Sequence, residues 1–355
     1  MNVGEALDNI VVNSEEKKSI ENYLGPFHTR MNLLVNLTPE NYENLNNYMP
    51  KTSEELKQRI MEFVNIYSAM LKSNSKSENL SNKTQLVRGT TVERINEMEE
   101  VPCSFLSTTN DVHIAKSFTI GYNAKEIGAF LRFKVADGIP FLDASKYTEN
   151  VLEEKEIIFS PFCNIVNKKL IGKQFGMDEY MVEIEPPNLQ EVPKEQLENT
   201  LNEVILGYEQ NIKDIEELNS LTREIDRLYL NRNKANNIED KIFLTEEIEK
   251  NEEKSSKLKQ STNLYKEKLQ TVLKGLCKQK EIEITSAREF LEQEKAKRIK
   301  EMDNQHKDKN NEKNIQEKTG QTDEEIRKEE RKQIDEEVKQ KLTNELKKEI
   351  LSNRK

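Results

Sequence analysis

The segment IGAFLRFKV, residues 127–135, alternates between apolar positions and intervening residues of mixed character. One face of an extended chain would carry Ile127, Ala129, Leu131, Phe133 and Val135, and the other Gly128, Phe130, Arg132 and Lys134. Side chains of a strand point alternately to its two faces, so this period of two predicts a β-strand. The segment therefore predicts a sheet at the centre of the chain.

Strand-like and helix-like patterns separate on either side of this segment. Further strands are predicted at 157–159, 165–166 and 180–184, within a strand-rich region of residues 85–187. Residues 1–84 instead place apolar side chains three or four positions apart, as Leu56, Ile60 and Phe63 do. Helices followed by mainly antiparallel strands predict an α+β domain.

A long helical extension is predicted after Pro186 and Pro187, which remove two backbone donors and interrupt the strands. In residues 188–292 apolar side chains recur every three or four positions, which predicts a coiled coil or an antiparallel helical hairpin. Residues 293–355 are rich in lysine and glutamate, and two interpretations remain open for them: a solvated helix or a disordered tail.

The composition narrows the classes of function. The chain has 355 residues and a net charge of −10, so we expect no nucleic-acid partner, which would call for a basic surface. Its three cysteines are scattered and match neither a disulfide framework nor a zinc motif. It also lacks the glycine-rich motifs of dinucleotide-binding oxidoreductases and phosphate-loop nucleotidases.

The location of the protein is predicted from what the sequence lacks. No signal peptide opens it, and no apolar run approaches the length of a membrane span. Two locations are consistent with these features: the cytoplasm, or a target cell into which the protein is delivered by a route that needs no signal peptide.

Three polar motifs lie beside the predicted strands. They are LVRGT at residues 86–90, FLSTT at 105–109 and EKEIIF at 154–159. Together they supply a guanidinium, a group of hydroxyls and a pair of carboxylates. Such a set can hold a phosphorylated ligand and stabilise a positive charge that develops during a reaction.

In order and chemistry these motifs resemble the arginine–serine–glutamate group of mono-ADP-ribosyltransferases, which includes bacterial toxins and effectors. The resemblance implies two perpendicular, mainly antiparallel sheets with NAD between them. It also implies that NAD is a consumed substrate, with no metal needed, and that ADP-ribose passes to a target protein, on arginine, with release of nicotinamide. An NAD glycohydrolase and a helical scaffold with an inactive transferase-like domain are the alternatives.

The resemblance assigns roles to the residues of the first two motifs and to Glu156. Arg88 would bind NAD phosphate, and the Gly89 backbone would contact the nicotinamide amide. Ser107 would orient Glu156, whose carboxylate would stabilise the oxocarbenium-like ribose. The neighbouring hydroxyls that complete the NAD site would be Thr108 and Thr109. Without the resemblance, these residues are a strand-end arginine, strand threonines or a helix cap, and a charged loop.

Three more residues complete the prediction. Glu154 lies two positions before Glu156 and would grip and deprotonate the target arginine. Phe118 would stack on nicotinamide, although a core phenylalanine on a short helix is the more frequent explanation for such a residue. Tyr147 would face the target protein, or would be a surface tyrosine without function. Helices within 188–292 offer a possible surface for a further partner.

Overall fold

The computed structural model describes the chain in several stretches: residues 1–35, 46–73, 86–92, 95, 104–119, 127–147 and 156–313. Side chains are described there except at 26–29, 46 and 302–313. The chain divides into two compact units, one formed by Met1–Val11 with Glu283–Lys355 and the other by Val12–Ile282. The sheet and all the motifs lie in the second unit.

Helices precede the sheet, as the spacing of apolar residues predicts. They are α1 (Val3–Ile10), α2 (Ser14–Asn22), α3 (His28–Val35) and α4 (Ser53–Ser73). Asn13 caps α2, and Glu16 completes the capping box by accepting from the Asn13 backbone. The buried Glu16 carboxylate also accepts from Ser68 at 2.6 Å and pairs with Lys72 at 2.8 Å, so it fixes α2 against α4.

The strands form one sheet of seven members in the order β4-β5-β2-β1-β3-β7-β6. Their bounds are β1 (Leu86–Thr91), β2 (Leu106–Thr109), β3 (Gly128–Val135), β4 (Phe141–Asp143), β5 (Glu156–Phe159), β6 (Asn164–Gln174) and β7 (Met177–Glu185). All neighbours are antiparallel except β3 and β7, which run parallel. The predicted α+β class is confirmed.

The sheet is narrow at the junction of β1 and β2. Only Val87 and Thr109 are paired there, whereas all six residues of β1 are paired with β3. One apolar core nevertheless takes side chains from both sides of the junction, such as Leu106 and Phe159 from one side and Leu131 from the other. Because hydrogen bonds join the two halves, the expected pair of separate perpendicular sheets is not confirmed.

The alternation in residues 127–135 predicts the strand but not its surroundings. Ile127 precedes β3 and is exposed, and Phe130 on the opposite face is fully buried. A short helix, α5 (Val112–Ser117), causes this burial, since its Ala115 packs with Phe130 and Val87. A strand covered on both faces does not show a clean alternation.

Two long helices follow the sheet, α6 (Lys194–Lys234) and α7 (Ile238–Lys313). Within the second unit they run antiparallel, because Tyr265 of α7 donates to the Val204 carbonyl at 2.9 Å and Lys268 pairs with Glu203 at 2.7 Å. The long helical extension is confirmed, while the coiled coil and the domain boundaries stay predictions. Residues 314–355 of the tail lie outside the described stretches.

The hairpin packs on the helices before the sheet. Tyr208 of α6 donates to the Pro50 carbonyl at 2.8 Å, and Gln270 of α7 donates to the Val35 carbonyl at the same distance. These contacts make α3, α4, α6 and α7 one layer with a common apolar core. Among the described helices, none is both long and apolar enough to cross a membrane.

Candidate active site

Arg88 lies in the middle of β1, and its guanidinium reaches the next strand. Its Nη1 donates to the Ser107 carbonyl of β2 at 2.7 Å, and the side chain is half-buried. This hydrogen bond lies beside the single backbone pair that joins β1 to β2. Arg88 therefore strengthens the narrow junction of the sheet, and it brings a cation to the motif that contains Ser107.

Ser107 and Glu156 meet across the antiparallel pair of β2 and β5. Ser107 pairs with Ile158 and Thr109 pairs with Glu156, so Ser107 and Glu156 are diagonal neighbours on one face. The backbones of diagonal neighbours lie about 7–8 Å apart, so their side chains can reach one another. Both are half-buried. The first residue of β5 thus brings its carboxylate to the serine.

The two threonine hydroxyls already have hydrogen bonds within the protein. Thr108 donates to the Ile157 carbonyl at 2.8 Å, and Thr109 accepts from the Asp111 amide at 3.1 Å. Asp111, rather than Thr109, caps α5 by accepting from the His113 amide at 2.9 Å. The hydroxyls therefore have a structural role, and their contact with NAD stays a prediction.

A residue that the motifs do not identify, Tyr23, lies beside this group. It ends α2 at the start of the π-helical turn Tyr23–Phe27, and its ring is 1% exposed. The ring packs edge-on against Phe105, the residue two positions before Ser107, with 5.2 Å between centroids. The Gly25-Pro26 pair predicts that a helix ends here, but nothing local indicates what that end contacts.

The groups that shift the pKa of Tyr23 include one residue from each of the three motifs. Burial raises the pKa of Tyr23 to about 12, and Glu156 also raises it, whereas the Ser107 side chain, Arg88 and the Asn32 side chain lower it. Its hydroxyl makes no hydrogen bond of acceptable geometry to any described group, so Ser107 is near but not well aligned. Arg88, Ser107 and Glu156 therefore all act electrostatically on one buried, neutral phenol.

Close packing of α5 on β1 requires glycine at position 89. A Cβ atom built there would lie 1.9 Å from the Ala115 carbonyl oxygen of α5 and 2.9 Å from the Thr119 amide nitrogen. The backbone of α5 thus rests directly on β1, where only glycine fits. The predicted contact between Gly89 and nicotinamide remains a prediction.

The other predicted residues have different environments. Phe118 follows the last turn of α5 and is 55% exposed, so the interpretation as a core phenylalanine is wrong. Tyr147 is half-buried and its hydroxyl lies 2.7 Å from that of Ser73, which ties it to the end of α4. Target recognition by Tyr147 stays a prediction. Glu154 lies outside the described residues.

The group around Tyr23 does not line either of two cavities found elsewhere. One, of about 420 Å³, lies against α6 and α7 beside Ser220 and Asn251. The other, of about 490 Å³, lies beside Arg30 and Arg59. Within the described stretches no group of three or more histidine, cysteine or acidic residues is arranged to hold a metal ion. The candidate site is thus defined by its side-chain chemistry rather than by an open cavity.

Comparisons with known proteins identify no family for this chain and one weak structural likeness. The sequence matches no known family and no curated protein. Among solved structures, one similar chain is the ADP-ribosylating toxin BECa of a binary enterotoxin of C. perfringens, solved with NADH. The likeness has a TM-score of 0.30 and 19% identity, over 50% of this chain and 45% of that chain. It spans less than half of the toxin chain and is too weak to assign a fold or an activity.

Proposed function

We propose that this protein transfers ADP-ribose from NAD to a side chain of a target protein and releases nicotinamide. The observation that supports this proposal is the grouping of Arg88, Ser107 and Glu156 across β1, β2 and β5, where all three also shift the pKa of Tyr23. A cation, a hydroxyl and a carboxylate held within one partly buried group match the needs of a substrate that carries phosphates and develops positive charge on its ribose.

The chemistry assigned to these residues is as follows. The bond between ribose C1′ and the nicotinamide nitrogen breaks, and nicotinamide leaves as a neutral molecule with the bonding electrons. Glu156 stabilises the positive charge left on the ribose, more strongly in this partly buried setting than it would in water. Arg88 binds phosphate oxygens through paired hydrogen bonds, for which its planar guanidinium is suited.

The acceptor completes the reaction by bonding to C1′ and losing a proton. We propose an arginine as the acceptor, with Glu154 gripping the guanidinium and taking its proton. This assignment rests on the motif EKE at residues 154–156 and on the resemblance described above. If water takes the place of the arginine, the same site acts as an NAD glycohydrolase.

A variant pair tests the proposal. The full chain is incubated with NAD labelled on its adenylate part and a cell lysate, and both labelled protein and free ADP-ribose are measured. Glu156→Gln should lower transfer by about a hundredfold or more, because an amide cannot neutralise the ribose cation. Glu183→Gln is the matched control: it makes the same chemical change on β7 of the same sheet, at a half-buried residue paired with Lys134.

The outcomes separate the candidate functions. Labelled protein that disappears with Glu156→Gln and persists with Glu183→Gln supports the transferase, and mass spectrometry of the band then identifies the modified residue. Free ADP-ribose without labelled protein favours the glycohydrolase. A folded wild-type protein that neither binds nor consumes NAD in any lysate would overturn the proposal and favour a helical scaffold.

A further inference from the structure

The turn between α6 and α7 exposes a group of large apolar side chains. We call residues 227–243 the hairpin tip. Within it Leu230 is 59% exposed, Ile238 75%, Ile242 55% and Phe243 62%. Farther from the turn many apolar side chains of the same helices are buried, as Ile248 is at 2% exposed, and exposed ones such as Leu206 and Leu264 lie apart from this group. Scattered exposed apolar residues are common on protein surfaces, but a group of four at one end of a hairpin marks an interaction surface.

The hairpin tip is well defined locally. α6 ends at Lys234 with the Ala235 amide donating to the Asn231 carbonyl at 3.0 Å. The Asn237 side chain then accepts from the Asp240 amide at 2.6 Å and caps the start of α7. Because a helix rises 1.5 Å per residue, Phe243 lies only about 8 Å along α7 from Ile238. The four apolar side chains thus occupy a layer about 10 Å deep at the end of the hairpin.

Cations accompany these apolar side chains. The hairpin tip contains four cations, Arg227, Arg232, Lys234 and Lys241, against the two carboxylates Glu239 and Asp240, for a net charge of +2 in a chain of −10. Both carboxylates lie in the first turn of α7, where the positive end of the helix dipole offsets part of their charge. The Arg232 guanidinium lies 4.8 Å from the centre of the Tyr229 ring.

We propose that the hairpin tip docks onto a membrane surface that carries anionic lipids. Interfacial binding needs apolar side chains that enter about 5–10 Å between headgroups and acyl chains, which matches the depth of this layer. It also needs cations at headgroup level, which Lys234 and Lys241 supply. This is attachment to a surface without a spanning segment, and it does not depend on the proposed activity.

A vesicle-binding assay tests this inference with the full chain. The protein is sedimented with vesicles of phosphatidylcholine alone and with vesicles that also contain phosphatidylserine, at low and at high salt. We expect binding to the anionic vesicles that weakens as salt rises. The double variant Ile242→Ser with Phe243→Ser should lower that binding by about tenfold or more, and Lys234→Gln with Lys241→Gln should do the same.

The matched control removes exposed apolar side chains elsewhere on the hairpin. Leu206 is 81% exposed and Leu264 is 54% exposed, and both lie outside the hairpin tip. Changing both to serine should leave vesicle binding unchanged, and helix content measured by circular dichroism should be equal in all variants. Equal losses in the control and tip variants would overturn the proposal.

Two further results would also overturn it. One is binding of the apolar double variant to vesicles as strongly as the wild type. The other is a wild-type protein that ignores both kinds of vesicle but forms oligomers that Ile242→Ser with Phe243→Ser dissociates. In that second case the hairpin tip is a contact between copies of the chain, which light scattering would detect.

Discussion

Two tyrosines of the helical layer, Tyr23 and Tyr67, are both buried, and neither hydroxyl has a hydrogen-bond partner among the described residues. Burial is the main cause of a raised pKa in both. Both phenols are thus buried and have a raised pKa, and the pKa of Tyr67 is raised further than that of Tyr23. They lie in regions of different chemistry, however, and their neighbours distinguish them.

Tyr67 lies in the apolar core, and the polar groups that act on it are two thiols and one carboxylate. After burial, the groups that raise its pKa are Cys277, Glu281 and Cys163. Cys277 is itself fully buried, and burial raises the pKa of its thiol, so it stays neutral. Glu281 is partly exposed and pairs with Lys278 at 2.8 Å. The surroundings of Tyr67 are therefore those of an apolar core into which one phenol hydroxyl is packed.

Tyr23 differs because its neighbours come from three strands and carry opposite charges. Arg88 and Glu156 shift its pKa in opposite directions, and Ser107 lies between them in the sheet order. A raised pKa alone therefore does not identify a functional tyrosine in this protein. Tyr23 is distinguished by the polar groups that reach it from separate strands, and the variants below test whether the two regions differ in function.

The largest expected effect comes from Gly89→Ala, which should disturb the Tyr23 region and leave the Tyr67 region alone. The new Cβ would overlap the Ala115 carbonyl, so β1 or α5 must move, and Arg88 is the adjacent residue. Overpacking of this kind costs about 2–3 kcal/mol of the unfolding free energy. Denaturant unfolding measures the loss of stability. The rate of ADP-ribose transfer should fall with it.

Gly207→Ala provides the matched control for that change. The added Cβ would lie 3.7 Å from the Tyr265 ring, an ordinary contact, within the helix α6. Alanine favours a helix interior over glycine by up to about 1 kcal/mol, so this variant should be as stable as the wild type or more stable. A Gly89→Ala protein with wild-type stability would show that β1 and α5 are not in the contact described.

The next effect is on activity alone. Tyr23→Phe removes a hydroxyl that has no hydrogen bond in the folded protein, so the unfolding free energy should stay equal or rise slightly. We expect transfer to fall by about tenfold, on the order of 1.4 kcal/mol in the barrier, if the phenol helps to position Ser107 and Glu156. A variant with full activity would reduce Tyr23 to a core residue like Tyr67.

The pH dependence of the same variant has a definite sign. Because the pKa of Tyr23 rises from its usual 10 to about 12 in the folded protein, the folded state favours the protonated phenol. The stabilisation that the protonated phenol of Tyr23 adds to the unfolding free energy is fully present below pH 10 and is lost as the pH rises toward 12. The stability of Tyr23→Phe relative to the wild type should therefore increase between pH 10 and pH 12. Between pH 6 and pH 9 the two activity profiles should have the same shape.

The sequence predicts part of this arrangement for clear reasons. The α+β class, the strand at residues 128–135 and the long helices follow from the periodicity of apolar side chains, which is a local signal. The proximity of Arg88 and Ser107 depends on the pairing of Val87 with Thr109, which is a non-local contact. Motif order indicated that grouping through resemblance, but the register of the strands did not appear in the sequence.

Tyr23 shows most clearly what the sequence could not predict. Its position at the end of α2 is a local property, but its contact with Phe105 joins residues 82 positions apart along the chain. A tyrosine at an apolar position of a helix is normally a core residue, as Tyr67 is. Packing of the helices on the sheet, rather than any motif, makes Tyr23 part of the candidate site.

The smallest expected effect belongs to Tyr67→Phe. Its hydroxyl is buried without a hydrogen bond, so its removal should leave the unfolding free energy unchanged or raise it by up to about 1 kcal/mol. Transfer of ADP-ribose should stay at the wild-type rate, because the neighbours Cys277 and Cys163 have no part in the proposed reaction. Thermal unfolding and the labelled-NAD assay measure both quantities, with Tyr23→Phe in parallel. Equal losses of activity in the two variants would mean that the assay reports general packing of the helical layer on the sheet. A loss in Tyr23→Phe alone would tie the effect to the charged and hydroxyl groups of β1, β2 and β5, since both changes remove the same atom from an equally buried ring.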